Sequence, residues 1–466
     1  MRRPWDPDAN PANIGNPNPN YNYSVAANWS TGIVPIGYLP ASFDGIVDNA
    51  PCNINEAINS GADGEDGPVF SVINSYSATI TIVAGVNNVS IDSIQEDQGN
   101  ESLFHLDFAD TAGGNTQTFN IMGTYGKSSV ITNMILQQGA LDGNPNQAVF
   151  SIASSTSEEN DGETLGLNGN LEYLDDVQML IDGNSSVQLY PTQNSVAGLK
   201  LVAGSFIEVG DGGTFNLTDA YTPNPKDGVT YIIGDGANNI GQEGEQITID
   251  YGGQMSCWNS GVDNINVPIV NNGTFTLDGG TLLVYGPADN ATHYSFIAQP
   301  TTGTVWTMLF DTDLYCDQGY AQTASAANMS ILEVTSTDAN EPSTITANSN
   351  GIYIGEYSVV EIDPEQTDFA TLNLNSTSAG IYFDGSLYVS VSAAGSDSDN
   401  VNFAQSTIWF GPDAYIDATV VGGVPEQGAS WFIFSGNDDD YNGWSNVSVN
   451  AGFAIDNSPG IIDYAP

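Results

Sequence analysis

Short runs of alternating apolar and polar residues, each closed by Gly, Asn or Asp, recur from one end of this chain to the other. Nothing else constrains its fold as strongly. The segment Ile269 to Gly286, IVNNGTFTLDGGTLLVYG, shows the unit: strand, corner, strand, corner, at seven-residue steps. Period two places one side of each run inward and the other outward. The corners Asn271-Asn272-Gly273 and Asp278-Gly279-Gly280 use residues that tolerate positive φ, as do Gly210-Asp211-Gly212-Gly213 and Asp384-Gly385. Strands are predicted at Ala78 to Val83, Leu103 to Phe108, Leu199 to Val202, Phe206 to Val209, Thr214 to Leu217 and Gln246 to Tyr251. Further runs are Thr274 to Leu277, Thr281 to Tyr285, Gly351 to Ile354, Thr371 to Leu374, Gly380 to Phe383 and Ser386 to Val391. Almost no window carries the i, i+3, i+4, i+7 pattern of a helix.

Strands this short and this evenly spread over 466 residues exceed a single sandwich, and no Pro- or Ser-rich linker divides the chain. The expected fold is therefore all-β, a right-handed parallel β-solenoid (β-helix), with tandem β-sandwiches as the alternative. Open solenoid ends expose strand edges and need caps. Residues 1–50, rich in Pro, Asn and aromatics (Trp5, Tyr21, Tyr23, Trp29, Tyr38), are expected to form an N-terminal cap or interaction segment. Residues 51–428 form the solenoid body, and 429–466, with Trp431, Phe432, Phe434, Tyr441, Trp444 and Phe453, the C-terminal capping strands.

Charge narrows the function. Five basic side chains (Arg2, Arg3, Lys127, Lys200, Lys226) face 56 acidic ones, for a formal charge of −51. Acidic residues are at ordinary frequency, so the anomaly is a loss of Lys and Arg. In-register stacking explains it, because like charges repeated every ~4.8 Å along a sheet repel. A halophile's cytoplasmic protein is the bland alternative, but that adaptation raises Asp and Glu. Such a surface repels nucleic acid and anionic lipid, so neither nucleic-acid binding nor membrane insertion is expected. It attracts divalent cations and offers few sites to trypsin-like proteases, as suits a protein outside cells. Cys52, Cys257 and Cys316 permit one intrachain disulfide at most, with no zinc-type spacing. No run of about 18 apolar residues occurs, and the start, MRRPWDPDANPANIG, has no apolar signal core. A removed signal, another export route or departure inside a virus particle would each fit, and the Met at position 1 favours the last.

Three regions resemble bacterial secreted β-solenoid proteins of the autotransporter-passenger and surface-repeat kind. Asn28-Trp29-Ser30-Thr31-Gly32-Ile33-Val34-Pro35, followed by Phe43-Asp44-Gly45-Ile46-Val47, resembles their opening, and NNGTFTLDGGTLLVYG is similar to their interior repeats. The ending, SWFIFSGNDDDYNGWSNVSVNAGFAIDNSPGIIDYAP, looks like their closing segment. The resemblance implies a solenoid fold and exposure, and no activity. The signal and membrane barrel of an autotransporter are not read in this chain.

Lyases acting on acidic sugars need clustered cations, and the lysines are isolated. Of a polygalacturonase-like set only Asp175-Asp176 occurs. A glycoside hydrolase remains the enzymatic alternative, since paired carboxylates arise readily among 56 acids. His105 and His293 read as packed or solvated strand residues. The best ligand signal is Asp438-Asp439-Asp440-Tyr441-Asn442-Gly443: Asp438, Asp440 and Asn442 carry the oxygen spacing that opens a Ca2+ loop, although Val449 stands where the closing Glu belongs. Asp63-Gly64-Glu65-Asp66-Gly67, Asp311-Thr312-Asp313 and Glu158-Glu159-Asn160-Asp161 are weaker loops of that type. Sequons such as Asn28, Asn88, Asn216, Asn272, Asn375 and Asn446 are compatible with glycosylation. The expectation is a non-catalytic structural or adhesive protein of a cell surface, extracellular fibre or surface layer, acting as a homo-oligomer or self-assembled array, with glycans as possible partners. The alternative is a virion component: a tail fibre, tailspike or capsid decoration.

Overall fold

The structure, a computed structural model, describes residues 3–14, 20–30, 34–35, 41–45, 47–58, 68–96, 102–109, 116–122, 129–131, 134–138, 148–153, 164–167, 172–175, 177–183, 185–189, 196–202, 205–218, 230–233, 246–258, 262–285, 294–299, 304–309, 312–335, 342–362, 369–395, 397–403, 406–436 and 441–465. The chain is all-β: among the described residues the only helical turns are 3-10. Its strands pair in parallel and stack as a β-solenoid, and not as tandem sandwiches. At the level of fold, the likeness to β-solenoid proteins holds.

Two compact units are formed, the first mainly from residues 1–226 and the second mainly from 246–466. In both, successive strands go to three different sheets in rotation. Ile269–Asn271, Thr274–Asp278 and Thr281–Val284 each enter a separate sheet, so the seven-residue steps of the sequence are the sides of one turn. The tight corners carry the expected glycines. Gly279 and Gly280 have φ of 72° and 68°, and a Cβ at Gly273 would strike the backbone oxygen of Asp250 in the turn before.

In the first unit, one inward position holds Cys52, Ile80, Leu106, Leu136, Leu174 and Leu201 in register, every one of them fully buried. Another stacks Val89, Phe119, Phe150, Met179 and Ile207, where the Phe119 and Phe150 rings lie parallel, 5.8 Å apart. Ahead of these ladders, Trp5, Tyr23, Trp29 and Phe43 are buried in a run of edge-to-face ring contacts. The indole N–H of Trp5 and the hydroxyl of Tyr76 both donate to the backbone oxygen of Ala50, at 3.2 and 2.9 Å. Buried Asn10, Asn13 and Asn28 hold the chain around them by side-chain amide bonds. Tyr38 lies outside the described residues.

The second unit repeats the plan with Leu282, Leu314, Ile345 and Leu374 in one inward column. Its last residues leave the parallel pattern. Ser430–Phe432, Ile461–Tyr464 and Phe453–Ile455 form a small antiparallel sheet that buries Trp431 and Ile462.

Outward columns explain the composition. Asn400 donates to Thr371 at 3.0 Å and Asn402 to Asn373 at 2.9 Å, each across 29 residues of chain. Asn120 donates to Asn88 at 2.7 Å and Gln178 to Glu208 at 2.6 Å. Amides and hydroxyls bond to a side chain one rung away, in register for Asn400 and Asn402 and diagonally for Asn120 and Gln178, whereas like charges stacked in register would repel.

A candidate ligand-binding face

One outward column of the second unit departs from this pattern. Tyr353, Tyr382 and Trp409 occupy the middle positions of three consecutive strands, Ile352–Ile354, Ile381–Phe383 and Ile408–Phe410, and pair in register. Their flanking residues point into the core, so the strand pleat forces the rings outward. The phenol rings of Tyr353 and Tyr382 lie parallel, 5.4 Å apart and inclined by 6°. Trp409 is 41% exposed.

The backbone is shaped to these rings. Gly380 has φ of 82°, and a Cβ there would overlap Cζ3 of Trp409, so one side of the indole rests on bare backbone. A Cβ at Gly355 would come within 2.8 Å of Cε1 of Tyr353. At the adjoining corner Tyr357 stands in the left-handed region, with φ of 63°, and is 44% exposed. A tyrosine pays a conformational penalty there that glycine would not, and such outliers gather at binding sites.

Carboxylates border the rings. Asp384, 9% exposed, accepts the Tyr382 hydroxyl on Oδ2 at 3.3 Å and the backbone N–H of Asp413 on Oδ1 at 2.8 Å. Gly411 leaves room for it, since a Cβ would overlap its carboxylate. Burial pushes the Tyr382 phenol up, and the charge of Asp384, its hydrogen bond, and the neighbouring Tyr353 and Asp413 push it the same way. The Tyr357 phenol is raised by its hydrogen bond to Glu356 and by the charges of Glu356 and Asp413. The Tyr382 and Tyr357 hydroxyls both keep their protons at neutral pH. The face therefore offers flat apolar rings, phenol donors and a fixed, nearly buried carboxylate acceptor.

A second outward column, on another sheet of the same unit, runs Thr276, Thr307, Glu333, Glu361, Tyr388, Asp417. Burial raises the Glu361 carboxyl, and the charge of Glu333 directly opposite raises it further.

The residues singled out from sequence lie elsewhere. Asn442 is exposed on the strand Tyr441–Asn442 and pairs in register with Trp409, whereas Asp438 and Asp440 lie outside the described residues. Among the described residues no group of three or more His, Cys, Asp or Glu is placed to hold a metal ion. His105 is half-buried on an outward column with Nδ1 3.2 Å from the Thr79 hydroxyl. Burial lowers its pKa, opposed by Gln137 and Asp107. His293, Asp176 and the weaker loops, apart from Thr312 and Asp313, lie outside the described residues. Cys52, Cys257 and Cys316 are buried free thiols.

Sequence reading missed the aromatic column, although a signal was present: Gly351-Ile352-Tyr353-Ile354, Gly380-Ile381-Tyr382-Phe383 and Thr407-Ile408-Trp409-Phe410 repeat one pattern, an aromatic between two core residues. No protein-family model matches the chain, and comparison with curated proteins finds no match.

Proposed function

We propose that the chain is a non-catalytic structural and adhesive protein displayed outside cells, at a cell surface or in an extracellular fibre or surface layer, and that the aromatic face of its second unit holds its ligand. The observation that carries this is the column Tyr353, Tyr382, Trp409 on consecutive rungs. In the outward columns around Asn373 and Asn120 such positions hold amide or hydroxyl side chains that bond to each other. Here they hold large rings, one widely exposed, over glycines shaped to receive them. Rings fixed on a ladder of parallel strands lose little freedom on binding, which suits attachment more than turnover. Self-association into an array, with Ca2+ bridging acidic faces, belongs to the same reading.

The test uses the intact chain and its Trp409→Ala variant, incubated with cell-envelope and extracellular polymer fractions. Retention of the parent and loss of the variant, at equal melting temperature, supports adhesion through this face. Equal retention of both, or release of reducing ends from a polysaccharide by the parent, overturns it.

A further inference from the structure

We infer that the ligand of this face is a neutral polysaccharide, with one pyranose ring stacked on the open side of Trp409 and a sugar hydroxyl donating to Asp384. The inference rests on the adhesive reading above and adds the chemical class of the ligand.

Charge decides against anions. No Lys or Arg follows Lys226 anywhere in the sequence, so the second unit has no fixed cation for a uronate, sulfate, phosphate or nucleic-acid backbone. The face itself is bordered by Glu356, Asp384 and Asp413. Polyanion binding draws its affinity from basic side chains, and here every fixed charge opposes it.

Ring geometry decides against a cation cage. Holding an ammonium group by π-faces takes rings turned towards it from several sides. The faces of Tyr353 and Tyr382 are turned on each other at 5.4 Å, which leaves Trp409 as the open platform within the column, with Tyr357 exposed at the adjoining corner. A single flat ring backed by Gly380 fits the C–H face of a pyranose, which is apolar and flat while its rim carries hydroxyls. Asp384 suits that rim. Two of its acceptor positions are used, by Tyr382 and by the Asp413 amide, and an ionised carboxylate has about four. Hydroxyl donors to carboxylate make strong charge-assisted bonds.

The experiment is calorimetric titration of the full chain with soluble neutral glycans (glucans, mannans, xylans, galactans), acidic glycans (polygalacturonate, alginate, heparin) and poly-lysine, at low and high salt. The expected result is binding of at least one neutral glycan, unchanged by salt and weakened roughly tenfold or more by Trp409→Ala, which corresponds to loss of about 1.4 kcal/mol or more. Trp409→Phe should retain part of the affinity. Gly380→Ala, which displaces the indole, should weaken binding with Trp409 still present. Asp384→Asn should weaken it less than Trp409→Ala. Unchanged melting temperatures separate these losses from misfolding. Trp409-dependent binding of poly-lysine or an acidic glycan, with no neutral glycan bound, overturns the ligand class and leaves adhesion standing. No binding in titration, together with Trp409-independent retention on envelope fractions, overturns both.

Discussion

Replacing Glu361 by Gln should stabilise the protein at neutral pH, and the gain should vanish in acid. Glu333 and Glu361 face each other in register on adjacent rungs, about 4.8 Å apart along the sheet, and Glu361 is half-buried. Burial raises its carboxyl first and the Glu333 charge second. Like charges directly opposite on a sheet cost about 0.2–1 kcal/mol, and partial desolvation adds to this for Glu361. A gain of about 0.5–1 kcal/mol is expected, which for a cooperative unit of this size moves the melting temperature by about 1–4 °C. A carboxyl raised in the folded state contributes its full stability below the unfolded value, about pH 4.3, and loses it as pH rises through the folded value. The parent should therefore weaken above about pH 4, and the difference between Glu361→Gln and parent should open over the same window. Glu333→Gln should relieve the same repulsion, and that part of the gain should shrink in high salt. In the Glu361→Gln background it should add almost nothing. Calorimetric melting from acid to neutral pH reads all of this. A Glu361→Gln protein that melts lower than the parent at pH 7, or a difference constant across the pH range, would refute the account.

Three further outcomes are expected. Leu106→Ala, in the middle of the ladder from Cys52 to Leu201, should cost about 2–5 kcal/mol in denaturant unfolding, whereas Thr81→Ala on the outward side should cost under about 0.5 kcal/mol. Burial raises all three thiols, so Cys52, Cys257 and Cys316 should resist a thiol reagent in the native protein and react on unfolding. If Asp438, Asp440 and Asn442 bind Ca2+, chelation should lower the melting temperature or disperse assemblies, and Asp440→Asn should remove that response; a chelator without effect on either would dismiss the site.

Strand positions were legible because a solenoid wall has one buried face, which writes itself as strict alternation. Ala78 to Val83 and Ser386 to Val391 were predicted as strands, and Thr79–Ile82 and Ser386–Ser392 are strands. The corners at Gly212 and Gly279 were legible because few other residues take positive φ. Register was not. The connection after Val284 runs to Phe296, while that after Cys316 reaches Tyr320, so the repeat length drifts from turn to turn. Without register, Tyr353, Tyr382 and Trp409 are three scattered aromatics, and Glu333 and Glu361 are two ordinary acids. Both columns exist only once the rungs are aligned. The Asp438 loop is legible for the opposite reason, because its signal is contiguous.

In a stack of this kind every outward position is repeated one rung away, so a residue is judged against its own column. Columns that end their charges in amides or hydroxyls, such as Thr344, Asn373 and Asn402, minimise repulsion and satisfy hydrogen bonds at the same time. A column that abandons this arrangement gives up cross-rung bonding. Glu333 over Glu361 does so at an electrostatic cost, and Tyr353, Tyr382 and Trp409 do so by leaving apolar rings in water, beside a tyrosine at φ of 63°. Stability alone accounts for the amide columns and for neither of these. The aromatic column leaves a flat apolar surface beside hydroxyl and carboxylate groups, which supports the proposed adhesion, whereas the acidic column sets a pH response.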